Sequence, residues 1–305
     1  MDLTKLINEK RTIKPNSLKS YLIILRKLND GKPIENLEFL KNTNEIMAII
    51  NEKALTTQRN YIGAILVGLG AFDKAEFDIA LQFYRDHLDT LNEKYNEFIK
   101  THKKSDNQSE NWITLKELKK SMNFIKKELD EKGILKKIDL TNKEFMALQR
   151  YIIQGLYILQ PPVRLDFSME IIKNEDDVKT GTNYLLVKSR NLKFFIFTEF
   201  KTSNSYGIKK IKVNSKLNQL LNIWLKFNKS KFLLLNTRGG KLSSNGLGKM
   251  ITKAFESTKK KITINLIRHV FISENVDLEA LEKQKKLAEL MHHSGATQKS
   301  YIKID

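Results

Sequence analysis

The sequence predicts an α+β protein: a helical N-terminal domain, then a mainly helical C-terminal domain carrying a small antiparallel sheet. Three observations carry that expectation. Apolar residues recur at helical spacing through the first hundred residues. Three short apolar runs then cluster between residues 184 and 213, and helical periodicity resumes after them.

Taken in order, Leu18, Tyr21, Leu22, Leu25 and Leu28 fall at helical spacing over 17–28, after a Pro15-Asn16-Ser17 start. The pattern repeats at 42–50 and at 56–69, the latter opening on Thr56-Thr57 as a cap, and a longer amphipathic stretch covers 75–100. Four or five helices joined by short turns make 1–104 a compact bundle. Residues 101–111 are polar throughout and without periodicity, so 105–111 is read as a linker to a second domain, 112–305. That domain opens with helices at 114–129 and 141–159, the second stopped by Pro161-Pro162. Strands follow at 184–187, 194–200 and 208–213, with Ser203-Asn204-Ser205-Tyr206-Gly207 as the turn before the last. Helices at 215–227, 243–255, 264–274 and 279–291 complete the chain, and Ser294-Gly295 stops the last of them.

Lys+Arg number 54 against 35 Asp+Glu, a net charge of +19. A surplus of that size points to a polyanion, nucleic acid ahead of an anionic membrane surface. Only nine of the basic residues are Arg, so an Arg kept in this Lys-rich chain is marked for a task that needs its planar fork. The absence of cysteine excludes disulfides, thiolate metal sites and cysteine nucleophiles. The five histidines lack HExxH spacing, and no metal cofactor is expected. The N-terminus has no signal-peptide core, and no run approaches the roughly 18 apolar residues that span a bilayer. A soluble, intracellular protein without a membrane partner is expected.

A set of residues in this one domain suits phosphodiester chemistry. Arg164 follows the helix that two prolines end, where its fork is held rigidly enough to bridge two phosphate oxygens; the alternative is a local ion pair with Asp166 or Glu170. Lys201, at the end of an apolar strand, is placed to protonate a leaving alkoxide, with Lys209, Lys210 and Lys212 competing for the role. Arg268 shares a helix face with Asn265, while His269 points elsewhere and reads as a buried structural histidine. His292 or His293 is presented from a helix end. Tyr301, nine positions after His292, supplies a phenol that can attack phosphorus.

The order Arg164, Lys201, Arg268, His292, Tyr301 resembles the tyrosine recombinases, the phage-integrase family that includes the bacterial Xer proteins. The likeness covers both domains, with 1–104 similar to the family's core-binding domain and 112–305 to its catalytic domain. Its second box commonly reads His-x-x-Arg-His, where this chain has Asn265-Leu266-Ile267-Arg268-His269. Its Leu-Gly-His is Leu290-Met291-His292 here. The Pro-Pro-x-Arg-x-Asp form of the first box looks closer to integrases of large eukaryotic DNA viruses and their satellites. The resemblance implies site-specific cutting and rejoining of double-stranded DNA through a 3′-phosphotyrosyl intermediate, with no cofactor. It also implies a clamp closing on the duplex and a homotetramer at synapsis, in the host nucleus or cytoplasm if the source is viral. Asn265, which can hydrogen-bond but cannot accept a proton, would position the phosphate. Two alternatives stand beside this one: a type IB topoisomerase-like relaxing enzyme, and a decayed recombinase that only binds DNA.

Overall fold

The helical periodicity of the first hundred residues is realised as five α-helices in the computed structural model, which describes residues 2–72 and 75–301. They are α1 (Leu3–Lys10), α2 (Pro15–Leu28), α3 (Thr43–Asn51), α4 (Leu55–Leu69) and α5 (Asp78–Lys100). Pro15 sits in the first turn of α2, where its missing N–H costs nothing. The Thr56-Thr57 cap is not used: α4 starts from Ala54, and both threonines lie inside its first turn. Leu25, Leu40, Ile50, Ile62 and Leu69 are fully buried in one core. The Tyr84 hydroxyl crosses that core to donate a 2.9 Å hydrogen bond to the Leu40 carbonyl, and burial raises its pKa. Each large aliphatic side chain removed from water here contributes about 1.5–3 kcal/mol.

The chain divides into two compact units, Met1–Lys104 and Ser105–Asp305. The residues expected as a linker belong to the second and are not extended. They form α6 (Asp106–Asn111), because Ser105 and Gln108 make a reciprocal capping box that satisfies two amide donors. Asn111 then accepts a 2.7 Å bond from the Lys261 amide, tying the helix end within the same unit.

The second unit is built around α7 (Leu115–Glu131) and α8 (Asn142–Ile158), each opened by a Thr–Glu capping box. From Leu148 to Ile158 every residue of α8 except the partly exposed Arg150 is buried, which makes it the central helix. Its two buried glutamines hydrogen-bond: Gln149 exchanges two 2.8 Å bonds with the Leu235 backbone, and Gln154 donates to Ser121 Oγ and the Ala254 carbonyl.

The sheet that follows is β1 (Met169–Ile172), β2 (Asn183–Val187) and β3 (Lys193–Phe197), then the one-turn helix α9 (Ser203–Tyr206) and β4 (Lys209–Lys212), in spatial order β1-β2-β3-β4. It is mixed, not purely antiparallel. β2–β3 and β3–β4 are antiparallel, but β1, unread in the sequence, pairs parallel to β2 with Met169 opposite Asn183. The parallel pair is joined by residues 173–182, a short connection that includes one 3-10 turn, Glu175–Asp177. The outer side of β1 is covered by backbone bonds with Lys231 and Leu233, while β4 is outermost and exposed along its length.

One residue of β3 is unusual: Lys193 is buried. Its ammonium donates to the Arg190 carbonyl, Asn218 Oδ1 and Asn222 Oδ1, fixing the β2–β3 turn on α10 (Ser215–Phe227). Burial, and secondarily the Arg190 charge, lower its pKa. Helix α10 reaches α8 closely at Gly155, where a Cβ would sit 2.1 Å from Leu220 Cδ2. Helices α11 (Ser244–Ala254) and α12 (Ile264–Asn275) close the core through Leu247, Ile251, Ile267 and Val270. Helices α13 (Leu278–Leu290) and α14 (Gly295–Tyr301) follow with little burial: only Ala288 of α13 is buried, and Leu281, Leu287 and Leu290 are exposed.

Candidate active site

Arg164 stands in the loop that Pro161-Pro162 forces out of α8. The loop is held from several sides. The buried Tyr157 hydroxyl donates to the Arg164 carbonyl at 2.9 Å, and Ser244 Oγ donates to the Leu165 carbonyl at 3.3 Å. Burial, with the nearby Asp166 charge, pushes the Tyr157 phenol well above its usual range, so it stays a protonated donor.

Asp166 gathers the two arginines. Its half-buried carboxyl has a raised pKa because burial disfavours the charged form; the Arg164 guanidinium, the Arg164 backbone N–H and the Arg268 guanidinium pull the other way. Two guanidiniums from separate elements, the loop after α8 and the middle of α12, therefore act on one carboxylate. Neither arginine makes a side-chain hydrogen bond or close ion pair among the described residues, so both forks are open to a ligand. The local ion pair with Asp166 or Glu170 that competed with a ligand role for Arg164 is not formed. Both arginines are half-buried, where charge interactions are screened less than at an open surface.

Asn183 was not singled out in the sequence, yet it links two of the candidate segments. Its buried side chain donates to the Asp166 carbonyl at 3.1 Å and the Glu199 carbonyl at 2.8 Å, and its Oδ1 accepts from the amides of Thr198 and Glu199. Those last two bonds take the amides of 198 and 199 away from the sheet. The strand expected to run to Phe200 stops at Phe197, and Lys201 lies in the exposed turn beyond it, not at a strand end. Of its three competitors on β4, Lys210 is engaged by Glu175 at 2.5 Å, whereas Lys209 lies over the Tyr206 ring.

On α12, Asn265 is exposed one turn before Arg268. His269 is exposed too, and the reading of it as a buried structural histidine is corrected: it falls on the solvent side, between the buried Ile267 and Val270. At the end of α13, the His292 amide bonds to the Glu289 carbonyl and the His293 amide to the Ala288 carbonyl, both at 3.0 Å. This two-bond helix stop places His292 in the left-handed region, φ 53°, where glycine is usual. The His292 side chain is exposed. The His293 ring is half-buried and stacks on Tyr301, with centroids 5.6 Å apart and planes 16° from parallel.

The candidates thus fall into two groups: Arg164 and Arg268 around Asp166, with Asn183 fixing the segment that leads to Lys201, and His293 with Tyr301. Among the described residues no hydrogen bond, ion pair or ring contact joins the second group to the first. A groove of about 1420 Å³ between α7 and α8, lined by residues such as Ile125, Leu129 and Ala147, contains none of them. No described helix is long and apolar enough to cross a membrane. No protein-family model matches the sequence, and no curated protein matches it.

Proposed function

We propose that this protein cuts and rejoins double-stranded DNA as a tyrosine recombinase or integrase. The observation that carries the reading is the pair of guanidiniums, Arg164 and Arg268, which make no side-chain hydrogen bond among the described residues and whose charges both act on the half-buried Asp166, in a chain of net charge +19. That pair can grip two non-bridging oxygens of a phosphodiester and neutralise charge as phosphorus becomes five-coordinate.

In the step proposed, the Tyr301 oxygen forms a bond to phosphorus while the bond from phosphorus to the 5′ oxygen breaks. The phenol proton passes to solvent, and the departing oxygen takes a proton from Lys201, leaving a 3′-phosphotyrosyl link and a 5′-hydroxyl. Attack by a 5′-hydroxyl of a partner strand reverses the step, so the bond energy is retained and no cofactor is consumed. Asn265, exposed beside Arg268, donates a hydrogen bond to the phosphate. An imidazole of the His292–His293 pair assists, and strand exchange proceeds in a homotetramer on two sites.

The test is a nicked suicide substrate whose cut fragment diffuses away. Wild type should accumulate a covalent protein–DNA adduct, and Tyr301→Phe, which lacks only the hydroxyl, should bind the DNA and form none. An adduct that persists in Tyr301→Phe sinks the assignment. A wild type that binds the duplex without forming any adduct favours a DNA-binding protein without strand cutting.

A further inference from the structure

The structure assigns the two adjacent histidines different work. We propose that His293, not His292, is the imidazole that sets the Tyr301 phenol for attack. The proposal rests on the strand-cutting reading above and deepens it. Counting along the chain selects His292, nine residues before Tyr301, and the backbone decides against it.

His292 is the left-handed residue of the α13 stop, at φ 53°, and its two neighbouring amide bonds account for its conformation without its ring. The exposed side chain makes no ring contact with Tyr301. His293 is the next residue, and the reversal of the chain at His292 turns it toward α14. Ser294 opens that helix, its Oγ accepting from the Thr297 amide at 3.2 Å and its carbonyl from the Gln298 amide at 2.9 Å. Two turns later Tyr301 comes back over His293, ring on ring.

A second observation says which part of His293 acts on Tyr301. The Nε2 of His293 is buried with no hydrogen-bond partner among the described residues. A histidine held through its nitrogens has them satisfied, since an orphaned polar atom costs about 1–3 kcal/mol, so what His293 presents to Tyr301 is its ring face and not a hydrogen bond. Tyr301 itself is 65% exposed, and among the described residues the stacked imidazole is the ring contact that holds its plane. Holding that plane keeps the phenol oxygen in one place, and orientation of this kind acts on the rate of the bound complex rather than on DNA affinity. His293 is in this sense a positioning residue.

Two measurements on the full-length protein test it. With 3-fluorotyrosine incorporated and the Tyr301 signal identified by its loss in Tyr301→Phe, the His293→Ala variant should move that signal, whereas His292→Ala should leave it in place. In the suicide-substrate assay at saturating DNA, His293→Ala should slow adduct formation by roughly tenfold more than His292→Ala does, with DNA affinity unchanged. His293→Phe keeps a flat ring without nitrogens and should recover most of the rate. A Tyr301 signal indifferent to His293→Ala, or a larger rate loss from His292→Ala, overturns the proposal. A wild type that makes no adduct overturns the strand-cutting reading and the positioning role with it, and the fluorine signal then reports on the ring pair alone.

Discussion

The Tyr157 hydroxyl donates a 2.9 Å hydrogen bond to the carbonyl of Arg164, from the last turn of the most buried helix to the loop that presents a candidate phosphate ligand. The donor has no freedom, since Tyr157 is fully buried and its ring meets Phe167 edge-on at 5.2 Å. Arg164 therefore inherits the rigidity of the core at its backbone while its guanidinium stays open.

Tyr157→Phe removes that one bond and keeps the ring. The second unit should lose about 1–3 kcal/mol in urea denaturation, because the Arg164 carbonyl is left unsatisfied. Adduct formation should fall as well. Unchanged stability would show that the loop is held by its other bonds alone.

Arg164→Lys and Arg268→Lys keep charge and lose the fork. Each should slow cleavage by on the order of 100-fold, more than it weakens DNA binding. Near wild-type cleavage in both would return the two arginines to structural duty around Asp166.

Asp166 gives a pH signature. Burial raises its pKa in the folded state, so its contribution to stability is fully present below the unfolded value of about 3.9 and is lost as pH rises through the folded value. Asp166→Asn carries no such group. Its denaturation midpoint relative to wild type should therefore improve from pH 4 to pH 7 (about one unfolded pKa, then well above it). A constant difference, or a drift toward wild type, contradicts the raised value.

His292→Gly should relieve the left-handed conformation. The gain is about 1 kcal/mol at the α13 stop, read as roughly fivefold slower hydrogen exchange at the amides of residues 292 and 293. Faster exchange would show that the His292 side chain contributes to the turn after all.

DNA binding should weaken steeply with salt. Lys209→Gln and Lys212→Gln, on the exposed outer strand, should each reduce the slope of log affinity against log salt by about 1 if they meet phosphates. An unaltered slope places that strand away from the DNA.

Much of this was legible in the sequence where the signal is local. Thr114 and Thr141 each precede a glutamate by three residues and open the two central helices at the expected places. Ser105 and Gln108 follow the same rule on a shorter scale, and the polarity of their surroundings hid it. What depends on distant partners was not legible. Met169-Glu170-Ile171-Ile172 has no alternation of its own and becomes a strand only between β2 and the backbone at 231–233. Asp166 reads as a neighbour of Arg164, and nothing local says that Arg268 bears on it too. Asn183 looks like any residue at a strand start until its four hydrogen bonds are seen. Between two adjacent histidines, spacing favours one by a single residue, and a backbone angle reverses the choice.

The outer strand Lys209-Lys210-Ile211-Lys212 also bears on how the protein behaves in a crowd. An uncovered β-edge is a template for pairing with another chain, and the far edge of this sheet is already capped by its own backbone. At the open edge, three lysines in four residues make the approach of a like strand electrostatically costly. The same charges that suit a polyanion thus discourage self-aggregation, and binding the polyanion would withdraw that protection. A bound edge has no need of it, because the ligand then occupies the space a second strand would take.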